Sequence, residues 1–330
     1  MQWLSEYGLF LAKTLTVFIS IIFCGLSLIG AIARARAFAR EGQIRLMDLN
    51  ERYRDLSDAL REASYSPKQY KQYLKTEKLR LKREEALADD KPRTYVVSFD
   101  GDVRASELDG LREVISAIIP VAHERDEVLL CVESPGGSVH AYGLAASQLL
   151  RLKDVKLRLV VAVDKVAASG GYMMACTADT IIAAPFAVVG SIGAVMEVPN
   201  VYRLLNKHGV DVEQVTAGEY KRTLSVLAEN SAKGRTKARE EVEEVHQLFK
   251  DFVLHQRPSL EMAVVGTGAF WHGSQALALG LVDRLETSDA YIQRAIQEGR
   301  RVLQVAYEPE RGLKERLLRV GARMWTLLRG

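Results

Sequence analysis

Between Arg93 and about Leu285, runs of β-branched residues alternate with segments of helical periodicity. Thr94–Phe99, Val128–Val132, Leu157–Val163, Thr180–Ala184 and Val212–Thr216 read as strands. Glu107 to about Ala122, Ala141–Leu150 and Lys233–Gln256 read as helices, the last with Val242, Val245, Phe249, Phe252 and Val253 on its buried side. Near-continuous apolar strands spaced by helices require a mostly parallel sheet covered on both faces, so the fold class is α/β. No internal repeat interrupts the series. In such folds the chemistry gathers on loops at the carboxyl ends of strands.

The ends of the chain differ from this core. From Thr14 to Ala33 no residue is charged. About 20 apolar residues in a helix span a hydrocarbon layer of ~30 Å. Trp3 and Tyr7 stand where an interfacial aromatic belt would fall. A cleavable signal peptide is the rival reading, with Ala31-Ile32-Ala33 as a small-residue cleavage site. Against it stand Glu6, the absence of an early basic residue and the length of the run. Arg34, Arg36, Arg40 and Arg45 follow the span, a charge bias that favours a cytoplasmic core. Residues 34–92 are a charged helical linker, with Leu46, Leu49, Tyr53, Leu56 and Leu60 at helical spacing and a second helix over Lys68–Leu87. Its basic faces suit either solvent or anionic lipid headgroups. Leu313–Leu328 reads as an amphipathic helix suited to a membrane surface, a subunit contact or the core. The expected plan is an anchor at 1–33, the linker at 34–92, an α/β domain at 93–290 and a C-terminal extension at 291–330.

Composition excludes several classes. A chain of 330 residues, 48% of them hydrophobic, is neither disordered nor collagen-like. A net charge of +3 gives no whole-chain case for nucleic acid. Cys24, Cys131 and Cys176 are odd in number and form no CxxC, which argues for three small buried hydrophobes rather than a disulfide or zinc framework.

Two strand-end loops carry candidate chemistry. Glu133-Ser134-Pro135-Gly136-Gly137-Ser138 follows Val128–Val132, and paired glycines before a helix leave N–H groups able to face an anionic oxygen. An ordinary strand-to-helix turn would look similar. Ala167-Ala168-Ser169-Gly170-Gly171-Tyr172 follows Leu157–Val163 and sets one hydroxyl at a helix start beside the Gly170 N–H. An N-cap serine is the plainer reading. A serine nucleophile needs a base, yet none of His123, His140, His208, His246, His255 and His272 lies in a local triad signature. A lysine serves only where its ammonium is desolvated. Lys221 of Gly218-Glu219-Tyr220-Lys221, after the expected Val212–Thr216 strand, is the candidate.

In order along the chain, Ser-Pro-Gly-Gly, Ala-Ala-Ser-Gly-Gly-Tyr, Val189-Gly190-Ser191-Ile192-Gly193 and Gly-Glu-Tyr-Lys resemble the signal-peptide-peptidase family of serine–lysine peptidases, and most closely its SohB branch. Tyr142–Gln148 and His246–Val253 also resemble that branch. The resemblance is weakest over residues 34–92 and after about 300. It implies the ClpP/crotonase fold and a Ser–Lys dyad, with Ser169 as nucleophile, Lys221 as general base and Ser191 orienting the lysine amine. The oxyanion hole would be the N–H groups of Gly170 and of Gly136 or Gly137. It further implies an acyl-enzyme, membrane-derived or signal peptides and extended hydrophobic segments as substrates, neither metal nor cofactor, a bacterial inner-membrane location and a homo-oligomer whose dyad forms within a subunit or between two. An acyl-CoA enzyme on the same fold would need no exposed serine and lysine. A scaffold with a decayed active site would have lost one of Ser169, Ser191 and Lys221, and all three are present.

Overall fold

The computed structural model of the chain describes residues 42–85 and 91–309. The expected anchor at Thr14–Ala33, with Cys24 inside it, and the expected helix Leu313–Leu328 lie outside the described residues. No described helix is long and apolar enough to cross a membrane.

Residues Leu46–Ala306 form one compact unit. The strands are β1 (Gln43–Asp48), β2 (Arg93–Asp100), β3 (Glu127–Glu133), β4 (Arg158–Val163), β5 (Val166–Ala168), β6 (Thr180–Ala183), β7 (Val188–Gly190), β8 (Phe270–His272), β9 (Arg284–Leu285) and β10 (Arg301–Glu308). The helices are α1 (Leu49–Ser64), α2 (Pro67–Glu85), α3 (Leu108–Ile118), α4 (Val139–Asp154), α5 (Gly170–Ala175), α6 (Tyr202–Lys207), α7 (Ala232–Gln256), α8 (Met262–Val265), α9 (Gly273–Ala278) and α10 (Ser288–Gln297). In the chain's other unit, the Gly42 N–H donates to the Tyr307 hydroxyl (3.0 Å) and Arg45 pairs with Glu308 (2.6 Å).

The main sheet runs β1-β10-β2-β3-β4-β6-β9, and β10, β2, β3, β4, β6 and β9 are mutually parallel. Leu129, Leu130, Val160 and Val161 are wholly buried, as expected of central strands covered on both faces. Val96, Leu129, Val160 and Ile182 pack on one side against Tyr291, Ile292 and Ala295 of α10. By strand alternation, Val97, Leu130 and Val161 turn to the opposite face. Helix α3 presents Leu111, Val114, Ile115 and Ile118 at a 3-4 spacing, and α4 presents Tyr142, Ala145, Ala146, Leu149 and Leu152. Each large side chain so buried contributes about 1.5–3 kcal/mol.

Two expectations need correction. Leu46 lies in strand β1 and not in a helix, because the Asp48 side chain caps the Glu51 N–H and starts α1 only at Leu49. On α1, Leu56 and Leu60 are exposed and only Leu49 is buried. Val212–Thr216 is not a strand. No described strand pairs with it and Val215 is 94% exposed, so its β-branched residues have no sheet to join.

Among the described cysteines, Cys131 and Cys176 are free. Burial pushes the Cys131 thiol up to about 12 and raises that of Cys176 also, as fits inert packing groups.

Candidate active site

A second, three-stranded sheet, β5-β7-β8, aims the candidate residues. Strands β5 and β7 are parallel, with Val166 opposite Val188 and Ala168 opposite Gly190. The next residues along are Ser169 and Ser191. The Ser169 N–H donates to the Gly190 carbonyl (2.8 Å) and the Ser191 N–H to the Ala269 carbonyl (2.7 Å). Both serines hold positive φ, 51° and 53°, a region that costs a non-glycine residue about 1–3 kcal/mol. Ser169 precedes α5, yet its side chain makes no cap hydrogen bond. Its hydroxyl is therefore not spent on the helix, contrary to the N-cap reading.

The Ser134-Pro135-Gly136-Gly137 loop leaves the end of β3 and meets this sheet edge. The Ser134 N–H donates to the Val166 carbonyl (2.8 Å) and the Ala168 N–H to the Ser134 carbonyl (3.0 Å). Gly136, at φ 93°, lies so close that a Cβ there would stand 2.6 Å from Ser169 Cβ and 2.8 Å from the Gly170 nitrogen. Only glycine allows that approach. The Gly136 N–H is taken by Ser134 Oγ (3.1 Å), whereas those of Gly137 and Gly170 have no acceptor among the described residues. The open pair of donors is thus Gly137 and Gly170.

Sequence reasoning missed the support beneath this loop. Buried Tyr142 of α4 bonds Ser134 Oγ (2.6 Å) and donates to the Asp102 carbonyl (2.7 Å). Its phenol is raised above its ordinary value, chiefly by burial, so it remains a protonated donor. The available signal is a polar Tyr142 on the apolar stripe with Ala145, Ala146 and Leu149. Helix α7 supplies another support. His246 Nε2 faces the carbonyls of Ile192 (3.1 Å) and Gly266 (2.9 Å), and only a protonated nitrogen can serve two carbonyls. The Ile192 carbonyl also accepts from the Gly268 N–H (3.0 Å), so the loop carrying Ser191 is tied from two sides.

Lys221 belongs to a separate segment, outside the three-stranded sheet. It sits in an irregular, exposed segment, its N–H turned to the Gly218 carbonyl (3.2 Å), and no hydrogen bond joins it to Ser169 or Ser191. Its neighbours are anchored: Glu219 pairs with Lys233, and Tyr220 lies under Lys233 and Lys237 of α7, 5.7 Å from each. The turn is thus held to α7 while the Lys221 side chain is left in solvent.

Residues 2–149 match the profile of the peptidase family S49 N-terminal region, and residues 151–302 that of peptidase family S49. A probable protease SohB from Haemophilus influenzae is 48% identical over 94% of this chain and 90% of its own. A probable protease SohB from Buchnera aphidicola subsp. Schlechtendalia chinensis is 43% identical over 88% and 99%. Among solved structures, a point mutant of a membrane-bound stomatin-specific protease aligns over 62% of this chain and 84% of its own, at 14% identity and a TM-score of 0.41.

Proposed function

Because this chain belongs to peptidase family S49, we propose that it is a serine endopeptidase working through an acyl-enzyme on Ser169, with Lys221 as general base. The observation that carries the reading is the strained, uncapped Ser169 beside two unengaged N–H groups, those of Gly170 and Gly137. Ser169 Oγ attacks the scissile carbonyl as its proton passes to a neutral Lys221 amine. The two N–H groups take the oxyanion, each such donor contributing on the order of 3 kcal/mol in the transition state. Ser191, one strand over, offers its hydroxyl to aim the amine. Lys221 then deprotonates the water that hydrolyses the acyl-enzyme. Gly136 drops out of the oxyanion hole on this account, since its N–H is engaged by Ser134.

In a single chain the exposed Lys221 makes no hydrogen bond to Ser169. Val195, Met196, Leu204, Val215 and Tyr220, in the same stretch of chain, are also exposed, an apolar surface that suits a second copy of the chain. We therefore place the dyad between subunits, Lys221 of one serving Ser169 of its neighbour, in a ClpP/crotonase-like peptidase domain at 93–290. The uncharged run Thr14–Ala33 would anchor it in a bacterial inner membrane through the charged linker at 34–92, with membrane-derived peptides as substrates.

The test combines two variants with an active-site label. Ser169→Ala and Lys221→Ala are each expected to abolish peptide hydrolysis, and a serine-reactive phosphonate should mark Ser169. Co-assembling the two dead variants should restore activity, because some interfaces then pair an intact serine with an intact lysine. Turnover by Ser169→Ala, or a label on Ser191, would overturn the nucleophile. A mixture that stays dead would put the dyad inside one subunit.

A further inference from the structure

The buried pair beneath the glycine loop has a directional hydrogen-bond order. Tyr142 has one hydroxyl proton, and its partner at Asp102 is a carbonyl that can only accept (2.7 Å). The proton between Tyr142 and Ser134 must then come from Ser134 (2.6 Å). That leaves Ser134 Oγ as acceptor for the Gly136 N–H (3.1 Å). The chain runs from the Gly136 N–H through the Ser134 and Tyr142 hydroxyls to the Asp102 carbonyl, each hydroxyl donating once and accepting once. The Asp102 carbonyl is itself fixed by the Ala105 N–H (3.0 Å).

The same tyrosine touches the other donor. A Cβ on Gly170 would collide with Cγ of the Tyr142 ring, so the ring lies flush against the backbone next to the nucleophile. The ring is braced edge-on by Phe99, centroids 6.2 Å apart. One rigid, wholly buried side chain therefore contacts Gly170 with its ring and holds the loop before Gly137 with its hydroxyl. Gly137 is backed from outside by the Val103 carbonyl, which also accepts the Ser138 N–H (2.9 Å).

We propose that Tyr142 and Ser134 are positioning residues that set the spacing between the Gly137 and Gly170 N–H groups, and so tune the oxyanion hole rather than substrate binding. This rests on the function proposed above. Tyr142→Phe removes one oxygen and leaves the ring against Gly170. It also strands the Ser134 proton and frees the loop to shift. Moving a donor costs less than deleting one, so kcat should fall about tenfold to 100-fold with KM nearly unchanged.

The measurement uses the full-length chain in detergent or membranes, with kcat and KM for a reporter peptide and the inhibition constant of a matched peptide aldehyde. The aldehyde adduct places its oxygen between the two donors, so its affinity should fall in step with kcat/KM for Tyr142→Phe and Ser134→Ala alike. The double variant should lose little more than either single one, because one break already releases the loop. Unchanged kcat and aldehyde affinity with a lowered Tm in Tyr142→Phe would reduce the pair to core packing and overturn the proposal. If Tyr142→Phe does not fold, Ser134→Ala decides by the same readouts. Ser169→Ala run alongside separates the two levels: turnover there sinks the peptidase mechanism itself, whereas a dead Ser169→Ala with a wild-type Tyr142→Phe sinks only the positioning role.

Discussion

Ser169 and Ser191 follow directly on Ala168 and Gly190, which face each other at the ends of two paired parallel strands, and both turn to positive φ, 51° and 53°. Neither is a glycine, so neither backbone is relaxed there. Strain at two adjacent strand ends persists only where the surrounding structure over-determines it, which is the usual setting of a functional site.

That strain gives the first prediction. Ser169→Gly and Ser169→Ala should both be inactive, but Ser169→Gly should be the more stable by roughly 1 kcal/mol, since alanine keeps the Cβ that opposes φ 51°. Denaturant melts of the two variants check it. Equal midpoints would mean that the surrounding bonds, such as the one from the Ser169 N–H to Gly190, relieve the strain.

Gly136 marks the tightest approach of the two loops. A methyl group at Gly136 would press on Ser169 Cβ at 2.6 Å and on the Ala168 carbonyl at 2.8 Å, and would face φ 93° as well. Gly136→Ala should therefore cost about 1–3 kcal/mol and lower kcat/KM by about 100-fold. Steady-state kinetics on the folded variant read this, and near-normal turnover would show that the loop can yield without moving Ser169.

How much of this is legible in the sequence depends on the length of each element. Strands β2, β3, β4 and β6 are readable because each buries a run of mostly apolar residues. Strands β5, β7 and β8 have only three residues each, too few for a periodicity, and yet they aim Ser169 and Ser191. The serines, the glycines and Lys221 stand out through ordered motifs rather than through predicted elements. Val212–Thr216 misleads because β-branched composition reports a fitting side-chain set and not the presence of a neighbouring strand. Tyr142 opens one of the stretches that carry the family resemblance, but its support of the loop shows only as a polar residue on an apolar helix face, and its partner Ser134 lies eight positions away across a loop.

His246 gives a test of the Ser191 loop. Its Nε2–H faces the Ile192 and Gly266 carbonyls at 3.1 and 2.9 Å, so His246→Ala leaves the carbonyls of two buried residues without that donor. The expected cost is about 1–2 kcal/mol of stability, with a loss of kcat larger than any change in KM. His246→Gln, which can return one N–H, should recover part of both. If His246→Ala keeps full kcat, the position of Ser191 does not depend on α7.

Arg257 grips Asp283 with two hydrogen bonds, 2.9 and 2.6 Å, and the Ile181 N–H adds a third at 2.7 Å. Burial alone would raise the Asp283 carboxyl, but these three donors outweigh it and hold it below the ordinary carboxylate range. With the folded value below the unfolded one of about 3.9, the stabilisation is complete above roughly pH 5 and is lost as pH falls through the folded value. Because the Asp283 side chain keeps 35% exposure, solvent screening limits the effect. Asp283→Asn should cost about 1–2 kcal/mol at pH 7, and the gap between wild type and variant should narrow as the pH falls below about 5. Urea melts across that range measure the gap. A gap that stays constant from pH 7 to pH 3 would mean that shape, and not the charge on Asp283, joins the end of α7 to β6.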